Sequence, residues 1–283
     1  MNLSNYIKLM RLDKPIGILL LLWPTLWAVW IASHAHPTIH ILLVFIFGTI
    51  LMRSAGCVIN DVADRNYDRH VKRTENRPIT SGAVSVKEAL VLTFLLSLAS
   101  FFLVLTCNNL TIILSVIAAF LAASYPFTKR FLSIPQAYLG IAFGFGIPMA
   151  FAAQLNFIPP VAYLLLVANI FWAIAYDTEY AMVDRDDDIH LGIHSSALLF
   201  GRYDVLAIML CYLITLLLLA VAGYLLHFGI VYFAALVIAG LIATYHYLLI
   251  RLRDRQSCFK AFLHNNWFGG VIFLGIWLEF ALH

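Results

Sequence analysis

Nine apolar runs fill most of this chain, at roughly residues 16–34, 39–59, 88–106, 110–126, 135–154, 160–180, 204–225, 229–250 and 264–282. Each comes close to the roughly 20 residues a helix needs to cross the hydrocarbon core of a bilayer. In lipid, a backbone must close its hydrogen bonds within each segment, so the pattern predicts an all-α polytopic membrane protein with nine transmembrane helices. The shortest run, 110–126, needs its flanks or a thinner patch of bilayer. Composition agrees: 63% of the 283 residues are hydrophobic and 12% charged, about half the charge of a soluble domain. The first run is too long for the apolar stretch of a cleavable signal and lacks a small-residue cleavage site.

Charge sets the orientation. The four short connections, around 34–37, 107–109, 155–159 and 226–228, hold no lysine or arginine. The basic residues gather at the N-terminus and in the long connections, among them Lys8, Arg11, Lys14, Arg65–Arg77, Lys129, Arg130 and Arg251–Lys260. By the positive-inside rule, the N-terminus and long connections are cytoplasmic and the C-terminus is outside. Of the 15 acids only Glu279 falls towards the outer face. The net charge of +3 is therefore topology and implies no nucleic-acid partner.

Two acidic stretches stand at the ends of these runs. Asn60, Asp64 and Asp68 are spaced i, i+4, i+8, and Asp184 and Asp188 repeat the i, i+4 pair with Asp177 two turns earlier. On a helix such spacing stacks the side chains on one face. The second run ends in the first acidic stretch and the sixth run in the second; the fourth and eighth end in basic stretches, Tyr125–Arg130 and Arg251–Arg255. One transmembrane domain over 1–283 follows, with a pseudo-repeat: helices 1–4 (about 16–130), helices 5–8 (about 135–255) and a ninth (about 264–282). An offset of four helices brings both acidic clusters out on the cytoplasmic side, where they could face each other across a cavity.

Carboxylate and amide oxygens without His or Cys are hard ligands that suit Mg²⁺, an ion usually shared with substrate phosphates. Arg65, Lys72, Arg73 and Arg77 follow the first cluster, and Lys129 and Arg130 follow the fourth run. Metal-binding acids beside such cations make a site for a diphosphate. At a membrane boundary this means an amphiphile whose tail lies in the bilayer. Solvated loop charge explains one such cluster; it does not explain two at matching places in a repeat. Asp61, Asp186 and Asp187, off those faces, read as solvated or supporting residues. Arg53, inside the second run, either snorkels to the interface or faces the cavity to hold an anionic acceptor or a phosphate oxygen.

Local signals fit. Ser85 and Glu88 form a capping-box pattern ahead of the third run, and Pro135 suits a first helical turn. Gly140, Gly144 and Gly146 form a small-residue stripe for close helix packing. Cys57, Cys107, Cys211 and Cys258 have no C-x-x-C spacing and read as packing residues, while His34, His36 and His40 lie in a loop.

The set Asn60-x-x-x-Asp64-x-x-x-Asp68, Tyr125-x-x-x-Lys129 and Asp177…Asp184-x-x-x-Asp188 resembles the UbiA superfamily of intramembrane prenyltransferases. The stretches 176–188, 11–17 (RLDKPIG), 73–78 (RTENRP) and 264–267 (HNNW) are similar to its 4-hydroxybenzoate polyprenyltransferase branch. The resemblance covers essentially the whole chain. It implies nine helices around a central cavity open to lipid, in a bacterial inner membrane. Asp64, Asp68, Asp184 and Asp188, with Asn60 and Asp177, would hold Mg²⁺ on a polyprenyl diphosphate, and Tyr125, Lys129 and Arg130 would touch the diphosphate. The implied reaction prenylates 4-hydroxybenzoate ortho to its hydroxyl, in ubiquinone biosynthesis. Stabilising the departing diphosphate makes the allylic cation accessible, aromatic rings can support it, and a carboxylate or the released diphosphate takes the ring proton.

Other readings are a prenyltransferase for dihydroxynaphthoate or haem, a cation transporter, and a scaffold. Transporter acids usually lie near the midplane on broken helices, whereas these lie at one boundary. A scaffold leaves the paired motifs without a purpose.

Overall fold

The computed structural model describes residues 3–282 except 70–73, 129 and 193. Its elements are α1 (Leu3–Leu9), α2 (Ile16–Ala32), α3 (Ile39–Asp68), α4 (Val86–Val104), α5 (Asn109–Thr128), α6 (Pro135–Gly144), α7 (Gly146–Leu155), α8 (Pro160–Leu191), α9 (Ser196–Phe200), α10 (Asp204–Leu225), α11 (Ile230–Ile250) and α12 (Arg255–Leu282). No β-strand occurs among the described residues. Eight stretches are long and apolar enough to cross a membrane, with α6–α7 and α9–α10 each counting as one stretch, and the apolar α2 is shorter. At 17 residues α2 is about 25 Å long, a little less than the roughly 30 Å hydrocarbon core.

Two helices overrun their apolar stretches, and this is what builds the site. α3 continues to Asp68 and α8 to Leu191, so both acidic motifs are helical and their i, i+4 stacking is realised. α8 stops at Gly192, whose φ of 64° places it in the left-handed region that glycine enters without strain. The Ser85–Glu88 capping box is formed: Ser85 Oγ accepts from the Glu88 amide at 3.2 Å, and Glu88 Oε2 accepts from the Ser85 amide at 2.8 Å. At the far end of the bundle, Glu279 accepts from the amides of Gly229 and Tyr232, giving the first turn of α11 the acceptors that helix N-termini lack.

The fifth apolar run is two helices. Pro148 has no N–H for the Gly144 carbonyl and its ring crowds that turn, so the helix breaks at Phe145. The break splits the glycine stripe. A Cβ on Gly140 would lie 2.8 Å from Ile170 Cα, and one on Gly144 would lie 2.5 Å from Asn169 Nδ2, both on α8. Gly146, past the break, meets Thr25 of α2 instead. Close packing within one chain therefore accounts for all three glycines.

α8 is central. It packs on α6, α10 and α12, while α2 lies against α7 and α12, α3 against α4, and α11 against α12. Trp172 of α8 is fully buried and stacks on Trp27 of α2 at 5.5 Å. Cys57, Cys211 and Cys258 are buried free thiols, as packing residues should be.

Candidate active site

The two acidic helices open on the same cavity. It has a volume of about 1300 Å³ and runs from charged residues at the ends of α3 and α8 to apolar and small ones on α3, α4, α5 and α7. Asn60, Asp64, Asp68, Asp177, Asp184 and Asp188 all line it, as do Tyr125, Arg77 and Arg53. Residues 120 positions apart in sequence are thus brought to one chamber because each helix carries its acids on its cavity face.

Asp64 and Asp68 are only 4% and 6% exposed, so they need compensation. Arg77 supplies part of it: its Nη1 donates to Asp68 Oδ2 at 2.8 Å and lies 3.0 Å from Asp61 Oδ1. Thr74 Oγ1 donates to the Asp68 carbonyl at 3.0 Å, tying the following loop to the end of α3. Burial raises the Asp68 pKa above the ordinary carboxylate value, with Arg77 opposing that rise.

Of the two options for Asp61, solvated or supporting, the structure shows the second. The residue is 2% exposed, and Arg11 Nη2 donates to both its oxygens at 3.0 Å. Helical phase placed it off the Asn60–Asp64–Asp68 face, but the connection between α1 and α2 folds over that side and covers it. Asp186, by contrast, is exposed and pairs with Arg255 at 2.9 Å, as a solvated residue should.

Arg53 takes the cavity option and does not snorkel. Its guanidinium lies over the Phe143 ring at 5.4 Å, and its Nε is buried without a hydrogen-bond partner. It is seated on Gly17, where a Cβ would come 2.6 Å from Nη2; any larger residue there would push the guanidinium away. Arg130 is placed elsewhere. It donates to the Ala63 carbonyl at 3.2 Å, lies over Phe127, and lines a separate small hollow. Lys129 and Arg73 lie outside the described residues.

Among the described residues, no three His, Cys, Asp or Glu side chains converge into a closed metal cage. The donors are nonetheless of one chemical kind, carboxylate and amide oxygens around a shared chamber. That suits a hard divalent ion which keeps water and takes its remaining ligands from a diphosphate.

The chain matches the model of the UbiA prenyltransferase family over residues 21–269. It belongs to the UbiA prenyltransferase family. It is 62% identical over 280 residues to the 4-hydroxybenzoate octaprenyltransferase of Paraburkholderia phymatum, covering 99% of this chain and 98% of that protein. To the enzyme of that name from Methylobacillus flagellatus it is 64% identical over 275 residues, covering 97% and 93%. In fold it resembles a UbiA homologue from Aeropyrum pernix K1, with TM-score 0.81, 23% identity, and coverage of 92% and 97%. A UbiA homologue from Archaeoglobus fulgidus bound to GPP and Mg²⁺ gives TM-score 0.73 at 18% identity, covering 98% and 99%. The protein is an integral membrane member of the UbiA family.

Several residues of this UbiA chamber had no signal in the motif spacing. Arg11, Gln136 and Tyr176 line it alongside the acids, and each reaches it from a different helix or connection. Fully buried Glu179 on α8 is held by Tyr212 Oη at 3.0 Å and Asn265 Nδ2 at 2.8 Å. Only its place inside an apolar run, where a lone acid needs a partner, could have singled it out.

Proposed function

We propose that this protein transfers a polyprenyl group from polyprenyl diphosphate to the ring of 4-hydroxybenzoate, ortho to the hydroxyl, in ubiquinone biosynthesis. The observation that carries the reading is the single chamber. Hard oxygen donors and arginines line one end, and an interior lined largely by apolar and small residues continues from it. Close relatives over nearly the full length bear the corresponding name.

In this reading Asp64, Asp68, Asp184 and Asp188, with Asn60 and Asp177, hold Mg²⁺. When bound, Mg²⁺ would supply charge stabilisation to a leaving diphosphate. Arg77 and Tyr125 hold diphosphate oxygens directly, with Lys129 and Arg73 assigned the same role from the sequence. Arg130, given the same role from the sequence, lines a separate hollow and is left out of this assignment. Arg53 binds the acceptor carboxylate through its unpartnered guanidinium edge. The apolar wall keeps water from the allylic cation, and ring faces such as Phe143 can stabilise it. The long connections and the acidic end face the cytoplasm in an inner membrane, with the N-terminus inside and the C-terminus outside. The chain forms one domain of nine spans in which helices 1–4 and 5–8 are a pseudo-repeat.

The test is prenyl transfer by purified protein in detergent, with labelled 4-hydroxybenzoate and a polyprenyl diphosphate, in Mg²⁺ or EDTA. Labelled lipid should form only with Mg²⁺, and Asp184→Ala should lower it by at least about a hundredfold. Turnover with a different aromatic acceptor alone would discard the pathway and keep the chemistry. If folded protein released no diphosphate with any acceptor, the proposal would fail.

A further inference from the structure

Tyr176 is buried to 1% exposure on the chamber wall, yet its hydroxyl has no hydrogen-bond partner. A buried hydroxyl left alone is unfavourable, and native structures rarely keep one without reason. This one cannot swing away to find a partner. Its ring is held edge-to-face by Trp172 at 5.4 Å and flanked by Phe262 at 6.3 Å. Trp172 is itself fixed, stacked on Trp27 and donating from Nε1 to Asn265 Oδ1 at 2.8 Å. Asn265 is anchored in turn by donating to Glu179. The interior network thus ends in one tyrosine whose hydroxyl is rigidly placed and unused.

The position of Tyr176 narrows what it can meet. It adjoins Asp177 and precedes Asp184 and Asp188 by two and three helical turns, so it lies deeper along α8 than those last two acids. Arg53, which lines the same chamber from α3, also has a buried donor without a partner, its Nε. The prenyl tail offers no oxygen to either group. A fixed hydroxyl on α8 and a guanidinium Nε on α3 that line one chamber and each lack an acceptor suit a carboxylate on a planar ring.

We propose that Tyr176 is an acceptor-binding residue whose hydroxyl donates to the carboxylate of the aromatic acceptor, alongside Arg53. This rests on the acceptor reading given above. Tyr176 then sets specificity for ring acids, because an acceptor without a carboxylate would leave two buried donors unmet.

The experiment compares wild type with Tyr176→Phe, which keeps the ring and its packing. Dissociation constants for 4-hydroxybenzoate and for benzoate are measured by calorimetry, and KM for the polyprenyl diphosphate in the transfer assay. The variant should bind both acids about tenfold more weakly, as expected for a lost hydrogen bond to a charged group. Its KM for the diphosphate should be unchanged, which a loosened bundle would not allow. Equal affinity in variant and wild type would overturn the proposal. So would a loss confined to 4-hydroxybenzoate, since the bond would then go to the ring hydroxyl. A wild type that binds neither acid would overturn the acceptor reading itself, whatever the variant does.

Discussion

Two buried polar clusters in this protein satisfy their carboxylates in opposite ways. At the end of α3, Asp61 and Asp68 are met by the guanidinium groups of Arg11 and Arg77. Between α8, α10, α11 and α12, Glu179 is met by the neutral donors of Tyr212 and Asn265, with His246 Nδ1 at 3.7 Å. The first cluster lines the chamber and the second does not, apart from its link to Tyr176 through Trp172. The fork of a guanidinium donates to carboxylate or phosphate oxygens alike, so one anion can replace another on it. A site that must admit a charged substrate benefits from such exchangeable partners. Neutral hydrogen bonds in an apolar interior are directional and costly to leave unmade. They suit a joint that should not move.

The largest effect should come from the shared cation. Arg77→Ala leaves two buried acids short of a partner and, on the proposed reading, removes a diphosphate ligand at once. Stability should drop by about 3 kcal/mol, the scale for breaking one side of a buried pair. Transfer should fall at least about a hundredfold. Arg77→Lys sharpens the comparison. It keeps the charge, so stability should largely return, but a point charge cannot span Asp61, Asp68 and a phosphate as the planar fork does. If Arg77→Lys were fully active, the cluster would need only charge, and the geometric part of the argument would fall.

How far the sequence foretold these clusters follows from what periodicity encodes. Faces on a single helix were legible: Asn60, Asp64, Asp68, Asp177, Asp184 and Asp188 line one chamber as their spacing suggested. Partners from distant segments were not. Asp61 is buried because Arg11 crosses to it from 50 residues away, and no local pattern records that crossing. Arg130 shows the same limit from the other side, since a cation beside a motif need not turn towards it. The break at Phe145 was legible in principle, because Pro148 removes a donor one turn after Gly144. Glu179 was visible as an acid inside an apolar run, but its three helix-spanning partners come from α10, α11 and α12.

Glu179 tests the second cluster directly. Glu179→Leu removes the acceptors of Tyr212 and Asn265 and leaves buried donors without a carboxylate, at a cost of about 2 kcal/mol. Denaturation in detergent should register this loss. Mg²⁺ dependence and KM for the diphosphate should stay near wild type, because the residue does not line the chamber. A variant as stable as wild type but inactive would place Glu179 in the chemistry and erase the distinction between the two clusters.

The smallest expected effect belongs to Tyr212→Phe. The Tyr212 hydroxyl has one proton and three neighbours, with Glu179 Oε1 at 3.0 Å, Asn265 Oδ1 at 2.8 Å and His246 Nδ1 at 2.9 Å. It cannot donate to all three, so its oxygen must also accept, and His246 is the neighbour able to donate to it. Removing the hydroxyl breaks this junction but leaves the Asn265–Glu179 and Trp172–Asn265 bonds in place. The expected loss is therefore about 1 kcal/mol, that of a single net hydrogen bond. Since Trp172 stays anchored, Tyr176 stays in position, and acceptor affinity should be unchanged. A Tyr212→Phe protein that lost acceptor affinity as Tyr176→Phe is expected to would mean that the neutral joint tunes the chamber continuously instead of simply bracing it.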